Sequence, residues 1–156
     1  MKVIRLLAIG DKMPHWVEEG FKEYAKRFTP ACTLELIEIP AEKRTKNSDI
    51  KRLIEREGEK LLSAIKPAHC VIALEVTGKS WSTPMLAEQL KKWQLNGRNI
   101  DILIGGPDGL SPLVSKKAEL KWSLSPLTLP HPLVRILVAE QLYRAFSILQ
   151  NHPYHR

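Results

Sequence analysis

Four short apolar runs, Val3–Ile9, Leu34–Ile39, Cys70–Val76 and Ile100–Ile104, alternate along the chain with segments of helical period. Short apolar runs set off by polar residues read as strands. Between the first two, Pro14 suits the first turn of a helix, and Val17, Phe21, Tyr24 and Phe28 follow at helical spacing. Pro30 stands just past the helix end. Ile50, Ile54, Leu61 and Ile65 mark a second helical stripe, stopped before Pro67. Thr83-Pro84 opens a third, which carries Leu86, Leu90 and Trp93 and closes at Asn96-Gly97. Alternation of this kind predicts a mostly parallel sheet covered by helices on both faces, with Cys70–Val76 as a central strand. At 156 residues the chain suits one domain, 1–156, with one substantial core.

Composition narrows the class. The chain is 44% hydrophobic and 26% charged, ordinary values for a soluble globular protein. No apolar run approaches the length of a bilayer span. The opening Met1-Lys2-Val3-Ile4-Arg5-Leu6-Leu7 is only briefly like a signal peptide, because Arg5 and Asp11 interrupt it and no small-residue cleavage site follows. Cys32 and Cys70 stand singly inside apolar segments, which predicts two buried thiols and a reducing cytoplasm rather than a disulfide or a metal pair. Lysine and arginine number 24 against 17 acids, a net charge of +7. That excess favours a polyanionic partner through counterion release, without separating nucleic acid from an anionic membrane surface. Part of it is concentrated: Lys43, Arg44, Lys46, Lys51 and Arg52 crowd a polar connection over 41–52. Such a segment is either a solvated loop and helix start or an arm that contacts phosphates.

The last helix, from about Pro132 to Gln150, is apolar nearly all round, with Leu133, Val134, Ile136, Leu137, Val138, Leu142, Phe146, Ile148 and Leu149. A helix of this kind is buried on more than one side, and a partner subunit is the expected second side. Glu140, Arg144 and Ser147 form its narrow polar stripe.

Three segments could carry chemistry. Gly105-Gly106-Pro107-Asp108-Gly109-Leu110 follows a strand directly, where glycines let a ligand approach the backbone. It matches neither a dinucleotide fingerprint nor a triphosphate loop, and Pro-Asp-Gly is also plain turn chemistry. Trp122 to Pro132 holds three prolines in seven residues, Pro126, Pro130 and Pro132, and reads as a stiff loop feeding the last helix. Its spare backbone groups could hold an adenine ring, or it could be a constrained connector. The tail, Asn151-His152-Pro153-Tyr154-His155-Arg156, offers a possible acid or base, a stacking ring and a cation. His152 and His155 alone make a poor metal site, so no metal is expected. His131 reads as structural, ahead of a ligand role.

These segments together resemble the ribosomal RNA large-subunit methyltransferase H family, of the trefoil-knotted SPOUT class. The resemblance is carried by 105–110, by Leu127-Thr128-Leu129-Pro130-His131, by Glu140-Gln141-Leu142-Tyr143-Arg144-Ala145 and by Tyr154-His155. Ala8-Ile9-Gly10-Asp11-Lys12-Met13 and Ile37-Glu38-Ile39-Pro40-Ala41 extend it over essentially the whole chain. The resemblance implies a single-domain parallel sheet with a C-terminal knot. It implies N3 methylation of a pseudouridine in an intersubunit stem-loop of 23S rRNA, with S-adenosyl-L-methionine as donor. It places that donor at Leu74, Gly105 and Leu124, Ser125, Pro126, Leu127, Thr128 and Leu129. Rules of topology would have argued against a knot.

Arg144, Tyr154 and His155 are the candidate catalytic residues. An imidazole can titrate near neutrality, a guanidinium can stabilise an anion or clamp phosphate, and a phenol ring can stack on a base. The residue that removes the N3 proton is left open. Lys43, Arg44 and Lys46 are the candidate RNA contacts. A symmetric homodimer built on 133–149 is expected, with the tail of one subunit reaching the other's cofactor pocket. A chain of one domain suggests a large assembled surface, the ribosome, as substrate. The alternatives are a SPOUT enzyme acting on another RNA, such as tRNA, and a non-catalytic ribosome-binding factor.

Overall fold

In a computed structural model the structure describes residues 1–155. Five strands and five helices alternate in chain order. They are β1 (Val3–Ile9), α1 (His15–Ala25), β2 (Thr33–Ile39), α2 (Ile50–Ala64), β3 (Cys70–Ser80), α3 (Thr83–Asn96), β4 (Ile100–Ile104), α4 (Pro112–Lys117), β5 (Leu120–Ser123) and α5 (His131–Leu149). A single 3-10 turn, Pro153–His155, follows α5. The strands form one sheet in the order β2-β1-β4-β3-β5, and all four pairings are parallel. Among the described residues no helix is long and apolar enough to cross a membrane.

The period of two along each strand sorts the core into two layers. Ile4, Leu6 and Ala8 of β1 join Ile100, Ile102 and Ile104 of β4 under α1, α3 and α5. Leu7, Ile9 and Leu103 face the other way, onto Leu61 of α2 and Val114 of α4. At that second face Arg5 and Asp101, paired in register, form a buried ion pair at 2.7 Å. Asp101 also accepts from the Lys66 N–H at 3.1 Å and is bonded to His69 Nδ1 at 2.9 Å. Burial would raise the Asp101 pKa, but the hydrogen bonds from Arg5, His69 and Lys66 hold it below the usual range.

Three expectations change. First, α2 buries Leu53, Glu57, Gly58 and Leu61, while Ile50 is exposed, so its inward face is set one position from the Ile50–Ile54 stripe. Asp49 caps the helix by accepting from the Arg52 N–H, which fixes where the helix begins. Second, Trp122 and Ser123 belong to a strand, β5, before the proline-rich loop begins. As an edge strand β5 needs partners on one side only, which a proline-rich continuation tolerates. Third, α5 packs against both α1 and α3 as well as the sheet. Much of its apolar circumference is therefore used inside one subunit, and Leu133 and Leu137, one turn apart, remain as its exposed large apolar side chains.

Candidate functional site

Parallel strands deliver their carboxyl ends to one edge of the sheet, where ligands of α/β folds bind. Here β3 ends its regular pairing with β5 at Leu74, and the register then shifts between Leu74 and Lys79. Next to it β4 ends at Ile104. Between these two exits and the start of α5 lies a cleft of about 330 Å³, within the range that holds small ligands.

One wall is the loop 105–110. It is a tight return: the Gly109 N–H donates to the Gly106 carbonyl at 3.1 Å, and Gly109 has φ +81. A Cβ on Gly105 would lie 2.6 Å from the Gly109 carbonyl carbon. The absence of a side chain at Gly105 thus serves the loop's own closure, a use that differs from the direct ligand approach expected from sequence. The opposite wall is the loop 124–129. Ser123 Oγ donates to the Ser125 carbonyl at 3.0 Å, and the Leu127 N–H donates to Ser125 Oγ at 3.0 Å, so two serines fix its path. Leu74, Gly105, Leu124, Ser125, Leu127, Thr128 and Leu129 all line the cleft, while Pro126 is exposed outside its lining. His131 closes one end of the cleft. Burial, then the nearby guanidiniums of Arg135 and Arg44, lowers its pKa and favours the neutral ring.

The lining is apolar apart from short polar groups, His131 and two acids, Glu75 and Asp108. Among the described residues no lysine or arginine lines the cleft, in a chain of net charge +7. Asp108 is held from behind. Arg44 Nε donates to its Oδ2 at 2.8 Å, and the same guanidinium is forked onto Glu57 at 2.8 and 3.0 Å. Arg44 also donates to the Glu42 carbonyl, and the Glu42 N–H donates to Glu57 at 3.0 Å. These acids raise the Arg44 pKa, Glu57 most of all. Arg44 is therefore ion-paired inward, whereas its neighbours Lys43 and Lys46 are exposed. Sequence reasoning gave Glu57 no role. Its signal was a glutamate four residues from Leu53 and from Leu61, on an apolar helix face where a charge needs a partner.

Arg144, Tyr154 and His155 gather elsewhere. Arg144 Nε donates to Glu140 at 2.8 Å, and its guanidinium lies 4.9 Å from the centre of the Tyr154 ring. Arg27 lies 5.3 Å from that centre, and Tyr143 packs edge-on at 4.7 Å. His155 Nδ1 is buried and has no hydrogen-bond partner among the described residues. Arg156 lies outside the described residues. The helix α5 has 19 residues and is about 28 Å long. His131 begins it at the cleft, and the tail leaves its far end. The cofactor candidates thus come together, and so do the catalytic candidates, but one subunit does not bring the two groups to each other. Among the described residues no group of three His, Cys, Asp or Glu side chains is arranged to hold a metal.

Comparison with known proteins gives this geometry a family. The family model described as "Predicted SPOUT methyltransferase" matches residues 1–155. The chain belongs to the SPOUT methyltransferase family. Within it, the chain is 55% identical over 153 residues to the "Ribosomal RNA large subunit methyltransferase H" of Azotobacter vinelandii, covering 98% of this chain and 99% of that one. The Pseudomonas putida protein of the same name is also 55% identical, over the same shares. Solved structures share the fold at low identity. A probable methylase family protein from Haemophilus influenzae matches with a TM-score of 0.58 at 15% identity, over 98% of this chain and 70% of that one. A Legionella pneumophila protein solved with the cofactor SAM bound matches with a TM-score of 0.52 at 13% identity, over 93% and 66%.

Proposed function

We propose that this SPOUT chain transfers a methyl group from S-adenosyl-L-methionine to N3 of a pseudouridine in an intersubunit stem-loop of 23S rRNA, on the assembled ribosome in the cytoplasm. The observation that carries the reading is the cleft between loops 105–110 and 124–129, in a chain 55% identical end to end to two large-subunit rRNA methyltransferases. The lining fits the donor. Apolar side chains suit an adenine and ribose, and two carboxylates with no lysine or arginine beside them among the described lining residues suit a ligand that bears a sulfonium cation. Leu74, Gly105, Leu124, Ser125, Leu127, Thr128 and Leu129 would hold it, with Pro126 stiffening the loop from outside. The proposed C-terminal trefoil knot follows from family membership.

S-adenosyl-L-methionine supplies a methyl group already activated by its sulfonium, so the protein's main contribution is positioning. The pseudouridine N3 proton must leave before the nitrogen can act as a nucleophile, and an anion then develops on the base. Arg144 supplies a cation toward that anion, Tyr154 a ring to stack on the base, and His155 an imidazole that can accept a proton. These groups reach a cleft only if they come from a second subunit. A two-fold axis across α5 would set two such helices antiparallel and bring the tail end of one to the His131 end of the other. The exposed pair Leu133 and Leu137 would lie in that contact. Lys43 and Lys46, exposed on the connection before α2, would touch rRNA phosphates, and Arg44 would support them from its ion pairs.

Mass spectrometry of rRNA from a strain lacking the protein tests the reading: loss of one methylated pseudouridine from 23S rRNA is expected, with its return on complementation. Loss of a tRNA methyl group instead would move the substrate to tRNA. Unchanged RNA, together with no calorimetric binding of S-adenosyl-L-methionine, would make the protein a non-catalytic ribosome-binding factor.

A further inference from the structure

The Arg44 ion pairs join two parts of the molecule that sequence kept separate. Glu57 is 2% exposed, a carboxylate buried under the glycine loop: a Cβ built on Gly106 would lie 3.8 Å from its Oε1. A buried carboxylate demands a cation with good geometry, and the Arg44 fork supplies one. This fixes the guanidinium plane against α2. Among the described residues the remaining carboxylate contact of that guanidinium, from Nε, goes to Asp108 in the loop 105–110. Asp108 and Gly105 both line the cleft, and the loop between them is stiffened by a single backbone hydrogen bond, Gly109 to Gly106. The Arg44–Asp108 bridge is thus a second tie on a short glycine-rich loop, anchored on a buried charge.

We propose that Arg44 is a positioning residue of the methyl-donor cleft: it clamps Asp108 and so holds the loop 105–110 in its binding shape, while its neighbours Lys43 and Lys46 serve RNA. The proposal rests on the cleft being the S-adenosyl-L-methionine site. It divides one basic run, Lys43-Arg44-Thr45-Lys46, into two functions by the partners of each side chain. Because Arg44 is anchored through Glu57, breaking the clamp loosens the loop without removing a group that contacts phosphate. The clamp also links the two sites, since a shift of the 41–46 connection on RNA would be felt at Asp108.

The test is calorimetric binding of S-adenosylhomocysteine, which needs no turnover, beside salt-dependent binding of rRNA. Asp108→Ala cuts only the outer arm and leaves Glu57 paired, so it tests the clamp in a chain whose core is intact. The expected result is a loss of donor-site affinity of about three- to ten-fold for Asp108→Ala and at least as much for Arg44→Ala, with partial recovery in Arg44→Lys. The double variant should lose no more than Arg44→Ala alone, because both remove the same tie. The slope of rRNA affinity against salt should stay unchanged for Arg44→Ala and fall for Lys43→Ala/Lys46→Ala, which in turn keep donor-site affinity. Unaltered affinity in Asp108→Ala would overturn the proposal. So would losses that multiply in the double variant, which would mean that Asp108 touches the ligand independently of Arg44. A salt slope reduced by Arg44→Ala would return Arg44 to direct phosphate contact. A parent protein that binds no S-adenosylhomocysteine would instead sink the donor-site reading itself.

Discussion

Subunit mixing decides whether the active site is shared. Within one chain, Arg144 lies about 20 Å along the axis of α5 from His131, and the tail lies further still. No arginine side chain spans that distance, so a self-contained site would have to do without Arg144, Tyr154 and His155. Two inactive variants expose the alternative. In Gly105→Val the new side chain meets the Gly109 backbone at 2.6 Å and deforms one cleft wall, leaving the tail whole. Deletion from Tyr154 onward removes the tail and leaves the cleft whole. That deletion should not unfold the chain, because it gives up one edge-on aromatic contact with Tyr143, worth about 0.5–1.5 kcal/mol, and two cation–ring contacts. Random mixing of equal amounts makes about half the dimers mixed, and each mixed dimer holds one cleft that is whole and is visited by a whole tail. About a quarter of the parental specific activity should therefore return, measured as methyl transfer to ribosomes from isotopically labelled donor. Mixed dimers verified by distinguishable tags that stay inactive would refute the shared site, because every cleft in a self-contained arrangement carries one lesion or the other.

Three further outcomes are expected. Lys43→Ala/Lys46→Ala should weaken rRNA binding and lower its salt slope by about two, as two phosphate contacts are lost; an unchanged slope in a filter-binding titration would leave 41–46 as a solvated connection. Asp101→Ala should destabilise the fold by about 3–5 kcal/mol in urea unfolding, because it leaves Arg5 buried without its counter-ion, and a loss below 1 kcal/mol would contradict that account. Thermal stability should fall in two stages on acidification. His131 is held neutral in the fold, so below about pH 6.5 the unfolded chain takes up a proton that the folded chain resists. Asp101 is held ionised, so its contribution is present above about pH 3.9 and is lost as pH falls through its lower folded value. His131→Gln should remove the first stage and keep the second, read from melting curves between pH 2 and 8.

The parts of this molecule that were legible in the sequence are those built from local patterning. Four of the five strands, and α1, α3 and α5, are marked by apolar period and by Pro, Gly and Asn at their ends. What was not legible depended on pairing between distant residues. The strand β5 is four residues long and exists because Leu120 and Trp122 pair with Ile72 and Leu74, which no local window reveals. The helix α4 has six residues and one buried side chain, Val114, too few for a period to register. The inward face of α2 was misread because Glu57, a charged residue, occupies it; its partner Arg44 is 13 positions earlier. The loops that line the cleft were picked out because glycines and prolines punctuate strand ends, but the contact of Gly105 with Gly109 is a three-dimensional feature.

The same distinction shows how the proposed function would seat two ligands of opposite charge on one small basic chain. A net charge of +7 describes the chain as a whole and says nothing of where that charge is free. Arg5, Arg44 and Arg135 are each paired with an acid inside the fold, at 2.7, 2.8 and 2.8 Å, so they attract no phosphate from outside. On the proposed reading the exposed lysines, Lys43 and Lys46 among them, would carry the attraction for rRNA. Among the described residues the cleft is lined instead by Glu75 and Asp108 with no lysine or arginine, and His131 in that lining is biased toward the neutral ring. Under that proposal a phosphate backbone would be drawn to the surface and repelled from the cleft, while a sulfonium would be favoured within it. Added salt should accordingly weaken rRNA binding by far more than it weakens donor binding, because one releases many counterions and the other involves a single charge.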